Sequence, residues 1–137
     1  MRIHLGGSSR QSLVAARVKL DAAVKGATAA SATELSSQLF FAADVLSKNT
    51  SIRRAFADPS RDAASKGALV KDLFAKSLAA SALEILTDVS TLRWSAAGDL
   101  VHVLEQLAIE AEASAANLNN ELDRVEDEFF ETSQLVV

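Results

Sequence analysis

An all-α fold follows from three features of this 137-residue chain. It has one proline and five glycines, it is rich in alanine and leucine, and its apolar residues return every three or four positions. Strands need bounding turn residues that this chain scarcely has, whereas recurrence at i, i+3, i+4 and i+7 marks a helix with one buried face. The expected architecture is a six-helix bundle plus a C-terminal helix.

The first helix is expected from about Ser9 to Lys25, with a serine as N-cap and Gly26 as its stop; the residues before it, 1–8, are read as a flexible N-terminus. Ser31-Ala32-Thr33-Glu34 has capping-box spacing and is expected to open the second helix, which ends near Ser47. Ile52 and Phe56 stand one turn apart on a short third helix that Asp58-Pro59 closes, because proline disfavours a helical residue before it. The same proline is expected at the first position of the fourth helix, whose face is Leu69, Val70, Leu73 and Phe74. Helix five should run from about Ala79 to Arg93. Ser95 is then placed to cap helix six, where Leu100, Val103, Leu104, Leu107 and Ala111 form one stripe.

Asn117 to Asn120 is expected to separate that helix from a seventh. In this last segment Val125, Phe129, Phe130, Leu135 and Val136 repeat the spacing of Leu35, Leu39, Phe40, Val45 and Leu46 at a constant offset. Both an internal duplication and two helices obeying one periodicity produce that pattern.

Composition narrows the function classes. A formal charge of -4, with the basic residues scattered singly, argues against nucleic-acid binding, which needs a basic face to displace counterions from phosphate. No apolar run approaches the roughly 20 residues needed to span a bilayer, so direct membrane insertion is not expected. Without cysteine, neither a disulfide nor a thiolate metal site can form. The chain also lacks tyrosine, a Gly-x-Ser-x-Gly elbow and a phosphate-cradling glycine loop. His102-Val103-Leu104-Glu105 reverses the Glu-x-x-His order of carboxylate-bridged metal centres, and His4 lies near the chain start. The acidic residues Asp123, Glu126, Asp127, Glu128 and Glu131 surround their helix, as on a solvated surface, and Arg53, Arg54, Arg61 and Lys66 are read as a solvated basic face. No catalytic residue, metal or cofactor is expected.

The longest informative stretch is Thr91-Leu92-Arg93-Trp94-Ser95-Ala96-Ala97-Gly98-Asp99, a corner leading into Val103-Leu104-Glu105-Gln106-Leu107. Upstream, Asn49-Thr50-Ser51-Ile52-Arg53-Arg54-Ala55-Phe56-Ala57-Asp58-Pro59 leads into Lys66 to Phe74, and Ser8-Ser9-Arg10 opens the first helix. In order and spacing these motifs resemble the N-terminal domain of the delta subunit of rotary F-type ATP synthase, the oligomycin-sensitivity-conferring protein family. The resemblance covers roughly Ser8 to Ala116. Val125 to Phe130 is similar to an acidic run found after the sixth helix in high-GC Gram-positive members. By this resemblance residues 9–116 are the bundle, and 117–137 are the opening helix of a truncated or reduced C-terminal part.

The resemblance implies a non-catalytic stator connector on the cytoplasmic face of the bacterial plasma membrane. Such a subunit holds N-terminal helices of alpha subunits at the top of the catalytic head. It meets the peripheral-stalk b subunit mainly through the C-terminal part that this chain lacks. The residues themselves are compatible with this. The first helix has a stripe of Leu13, Ala16, Leu20, Ala23 and Val24 and another with Val14, Val18, Ala15 and Ala22, with Arg17 between, and helix five spreads Leu83, Leu86 and Val89 over a wide apolar arc. A second stripe serves either a partner or a neighbour within the same bundle. The expected partner-binding set is Leu13, Val14, Arg17, Val18, Leu83, Leu86, Val89 and Arg93. Arg93 has two roles open to it, clamping a partner's carboxylate or capping its own helix, and Trp94 is expected to pack the corner. The alternative function is a free-standing helical adaptor that binds another helix or itself.

Overall fold

The computed structural model describes residues 5–135, with backbone alone for 121–135. Six helices follow one another: α1 (Gly7–Val24), α2 (Ala29–Lys48), α3 (Thr50–Ala57), α4 (Ala63–Phe74), α5 (Ala80–Ser90) and α6 (Ala97–Leu135). No strand forms among the described residues.

The six-helix path keeps the expected order but corrects several boundaries. α6 runs unbroken through Asn117 to Asn120, so the seventh helix is the far part of the sixth. Its three asparagines, Asn117, Asn119 and Asn120, lower helix propensity by only a few tenths of a kcal/mol each, too little to break a helix lacking glycine or proline there. The side chains of Val125, Phe129 and Phe130, and those of the acidic group, lie outside the described residues, as do His4 and Val136.

Thr28, not Ser31, is the N-cap of α2; Ser31 closes the box from its third position, with Thr28 Oγ1 accepting from Ser31 N at 3.1 Å and Ser31 Oγ from Thr28 N at 3.0 Å. Proline 59 stays in the turn, and Asp62 caps α4 by accepting from Ser65 N at 2.7 Å. Asp58 instead holds that turn, taking Ser60 N at 2.9 Å and Ser60 Oγ at 2.7 Å. α5 stops at Ser90, short of Arg93. Gly26 fulfils its expected role: its φ of +80° ends α1 in the left-handed region that glycine enters without a Cβ penalty.

The core is built where the stripes meet. α6 packs along α2 and also meets α1, α3 and α5. Its Leu100, Val103, Leu104, Leu107 and Ala111 are all fully buried, beside Leu39 and Leu46 of α2. Ser36, buried on that interface, donates its hydroxyl to the Ala108 carbonyl at 2.7 Å, which leaves its oxygen satisfied away from water. Phe56 and Phe74 meet edge-on with ring centroids 6.0 Å apart, joining α3 to α4. Trp94 is buried at the corner as expected, donating its indole N–H to the Val89 carbonyl at 3.1 Å.

The supposed basic face divides. Arg54 and Arg61 are exposed, but Lys66 is buried and donates its ammonium to the Ser90 carbonyl at 2.8 Å, capping the end of α5 from α4. Burial pulls the Lys66 pKa below its ordinary 10.5; Asp58 opposes the shift and Arg61 reinforces it. A lowered pKa means that the folded chain holds this proton less tightly than the unfolded one. The penalty is complete below the folded pKa and fades as pH climbs from there toward 10.5. The native chain is therefore expected to gain stability relative to Lys66→Met over that rise, read as the difference between their urea midpoints.

Candidate functional site: the groove between α1 and α5

α1 lies between α6 on one flank and α5 on the other. Its inner face is Ser9, Ser12, Ala16 and Leu20, all buried. The two serines on this otherwise apolar face tie the helix to the corner that follows α5. Ser12 Oγ donates to the Arg93 carbonyl, and Ser9 Oγ both accepts from Ser95 N at 2.7 Å and donates to Asp99 Oδ2 at 2.7 Å.

Ser95 was expected to cap α6, yet it serves α1. Its hydroxyl accepts from Ser9 N at 3.3 Å and lies 3.1 Å from Ser8 Oγ. The N-cap position of α1 is Gly6, which has no side chain to offer, so the cap is supplied across the chain. A Cβ on Gly6 would stand 2.5 Å from Ser95 Oγ and 2.6 Å from Ser95 Cβ. Gly6→Ala is expected to cost about 1–3 kcal/mol in urea denaturation by displacing Ser95, and markedly less when combined with Ser95→Gly.

Along the seam between the two helices lie two shallow depressions. One of about 260 Å³ is lined by Ser8, Gln11, Ser12, Ala15, Leu92 and Arg93. The other, about 250 Å³, is lined by Lys19, Ala22, Ala23, Ser81, Glu84, Ile85 and Asp88. Within the second, Lys19 Nζ and Asp88 Oδ2 approach to 3.9 Å across the seam. Small residues on α1 (Ala15, Ala22) and short ones on α5 (Ser81) keep the seam open where larger side chains would fill it.

The eight expected partner-binding residues do not share one surface. Val14 and Val18 stand one turn apart and are each 63% exposed, far more than an apolar side chain needs to be inside a bundle. Arg93 is exposed at one end of the groove, in the depression lined by Gln11 and Ala15; its side chain makes no hydrogen bond or ion pair among the described residues, and it is its carbonyl that binds Ser12. Arg17 turns to the other flank, where its Nε donates to both carboxylate oxygens of Glu110 on α6, at 2.9 and 3.2 Å. Leu13 is partly buried against the core.

Leu86 and Val89 have no exposed surface at all and belong to the core, so they cannot line a groove. Leu83 is partly buried against the same core; Thr87, one turn further, faces α4, with Cγ2 only 3.7 Å from a Cβ built on Gly67. The wide apolar arc of α5 is thus used within the bundle, against α4 and α2 as well as α1. Gln11, Lys19, Glu84 and Asp88, being polar or charged, lie outside the expected partner-binding set, and so do Ala15 and Ala22, which the sequence places on the second stripe of α1. The visible signal was the i, i+4 series Gln11, Ala15, Lys19, which runs down one edge of the Val14–Val18 stripe.

No family model matches the chain. Individual curated proteins do. ATP synthase subunit delta of Streptomyces coelicolor is 35% identical over 130 residues, which is 95% of this chain and 47% of that protein. The subunit delta of Salinispora arenicola is 35% identical over 129 residues, 94% of this chain and 47% of that one. That of Frankia casuarinae is 34% identical over 134 residues, 95% and 49%. The chain spans about half the length of the curated relatives it matches. It is thus related to actinobacterial ATP synthase delta subunits over nearly all of its own residues and about half of theirs.

Proposed function

We propose that this chain acts as a non-catalytic stator connector of rotary ATP synthase. In this reading the bundle of residues 9–116 receives N-terminal helices of alpha subunits at the top of the catalytic head. Residues 117–137 lead toward the part that meets the peripheral-stalk b subunit, and the assembly lies against the cytoplasmic face of the bacterial plasma membrane. The link keeps the head from turning with the rotor, so that ion-driven rotation becomes ATP synthesis. No helix among the described residues is long and apolar enough to cross a membrane.

One observation carries the docking surface: Val14 and Val18 stand exposed, one turn apart, beside an open seam between two helices. An amphipathic helix laid there would bury both valines between its own i and i+4 anchors, the helix-in-groove mode of recognition. Arg93 stands at one end, exposed, with no side-chain partner among the described residues. The surface is accordingly Val14, Val18 and Arg93 with Gln11, Ala15 and Ala22, and Leu13, Arg17 and Leu83 fall outside it.

The test is calorimetric titration of the full chain with a synthetic peptide of the first helix of the Streptomyces coelicolor alpha subunit. Saturable one-to-one binding is expected. Its absence, together with failure to bind purified catalytic head, would favour the free-standing adaptor, whose exposed valines would cover another helix or a second copy.

A further inference from the structure

α1 and the rest of the bundle do not depend on each other equally. Of the described residues of α1, Leu20 is the one large apolar side chain that is buried; Ser9, Ser12 and Ala16 share its face, and Leu13, Ala23 and Val24 are only partly covered. By comparison α2 buries Leu35, Leu39 and Leu46, and α6 buries Leu100, Leu104 and Leu107. The start of α1 is held by polar contacts instead. Ser9 Oγ accepts from Ser95 N and donates to Asp99 Oδ2, each at 2.7 Å, and Ser12 Oγ donates to the Arg93 carbonyl. Ser95 Oγ accepts from Ser9 N at 3.3 Å, supplying the cap that Gly6 lacks.

The other helices lose little when α1 leaves. Arg93 and Ser95 are exposed, Asp99 is half-buried, and Glu110 and Asp88, which face Arg17 and Lys19, are partly exposed. Water can therefore take over every donor and acceptor that α1 abandons, and none is stranded in the core. The corner keeps ties of its own, because Trp94 donates to the Val89 carbonyl at 3.1 Å and Lys66 to that of Ser90 at 2.8 Å. α2 is self-sufficient too, its capping box being closed by its own Thr28 and Ser31. The connection between α1 and α2 runs through Gly26, whose φ of +80° and missing side chain give it the freedom of a hinge.

We propose that α1 is a detachable strap. It releases from α5 and α6 as one unit about Gly26 and leaves α2 to α6 folded. The cluster of Ser9, Ser95 and Asp99 is the latch that sets how much of the time it is closed. The seam between α1 and α5 exists in the closed form alone, so the latch governs that surface from one end of it. None of this requires a partner in the seam, and the strap and the docking reading stand or fall separately.

Native-state amide exchange of the full 15N-labelled chain, followed by NMR through sub-denaturing urea, tests the strap. Once released, an 18-residue helix is marginal in water and its amides exchange. Those of Ala16 to Leu20 are expected to exchange through an opening at least about tenfold more populated than that of Leu39 to Ala43 in α2 or Leu104 to Ala108 in α6. Their urea dependence is expected to be shallower, since the opening exposes less surface than global unfolding. One common level and slope for all three helices would make the bundle a single cooperative unit and overturn the strap. Ser9→Ala, which removes both latch bonds of that hydroxyl, is expected to speed α1 exchange about tenfold further while α2 and α6 hold their rates. Equal acceleration in all three helices, or failure of this variant to fold, would show that the others depend on α1 and would overturn the strap as well. Unchanged α1 rates in Ser9→Ala would overturn the latch.

Discussion

Leu86→Asp is expected to unfold the bundle, with a loss of at least about 4 kcal/mol read from urea denaturation by circular dichroism. Leu86 has no exposed surface and sits among Ala82, Ile85 and Val89 on the inner face of α5. A carboxylate placed there loses its hydration, and no cation of the described residues lies within that apolar set to replace it. Removing the leucine also leaves a cavity, which by itself costs about 2–5 kcal/mol. From sequence alone Leu86 belonged to the docking surface, and an intact fold with weakened binding was the natural expectation for this substitution. Complete burial reverses that expectation. A cooperative transition with an unchanged midpoint would show that α5 does not pack as described.

Val14→Asp combined with Val18→Asp is expected to do the opposite, leaving the urea midpoint nearly unchanged while reducing affinity for the alpha-subunit peptide about a hundredfold. Both side chains are largely in water in the free chain, so placing carboxylates there desolvates nothing until a partner arrives. On binding, two apolar anchors are lost and two charges must be buried without partners. Valine is also a slightly weaker helix former than alanine, and aspartate is similar to it, so α1 itself changes little. Circular dichroism and calorimetric titration on the same preparation separate the two effects. Retained affinity with an intact fold would move the docking surface away from α1.

The contrast between Leu86 and Val14 shows how far the sequence reading reached. Both are aliphatic residues on amphipathic helices, and periodicity places each on an apolar stripe. Periodicity reports that a stripe exists but not what covers it. α1 has two stripes; one meets the core through Ala16 and Leu20, and the other is left open at Val14 and Val18. α5 has one broad arc, and its neighbours within the bundle cover nearly all of it. The serines taught the same lesson. Ser95 had the position to cap α6, whereas its hydroxyl serves Ser9 in a helix more than eighty residues earlier, an interaction no local pattern encodes.

What this sequence determined by itself was the order of the first six helices, where α6 begins and the approximate extent of α1 to α5, together with the corner around Trp94 and the stop at Gly26. These depend on local physics: i, i+3 and i+4 spacing, and the places where proline and glycine interrupt it. Tertiary structure alone decided that Lys66 points inward to the Ser90 carbonyl, that Arg17 is taken up by Glu110 while Arg93 pairs with no side chain among the described residues, and that an open seam runs between α1 and α5. Each of these depends on which faces of distant helices are brought together, and burial and pairing across such distances leave no mark in the spacing of neighbouring residues.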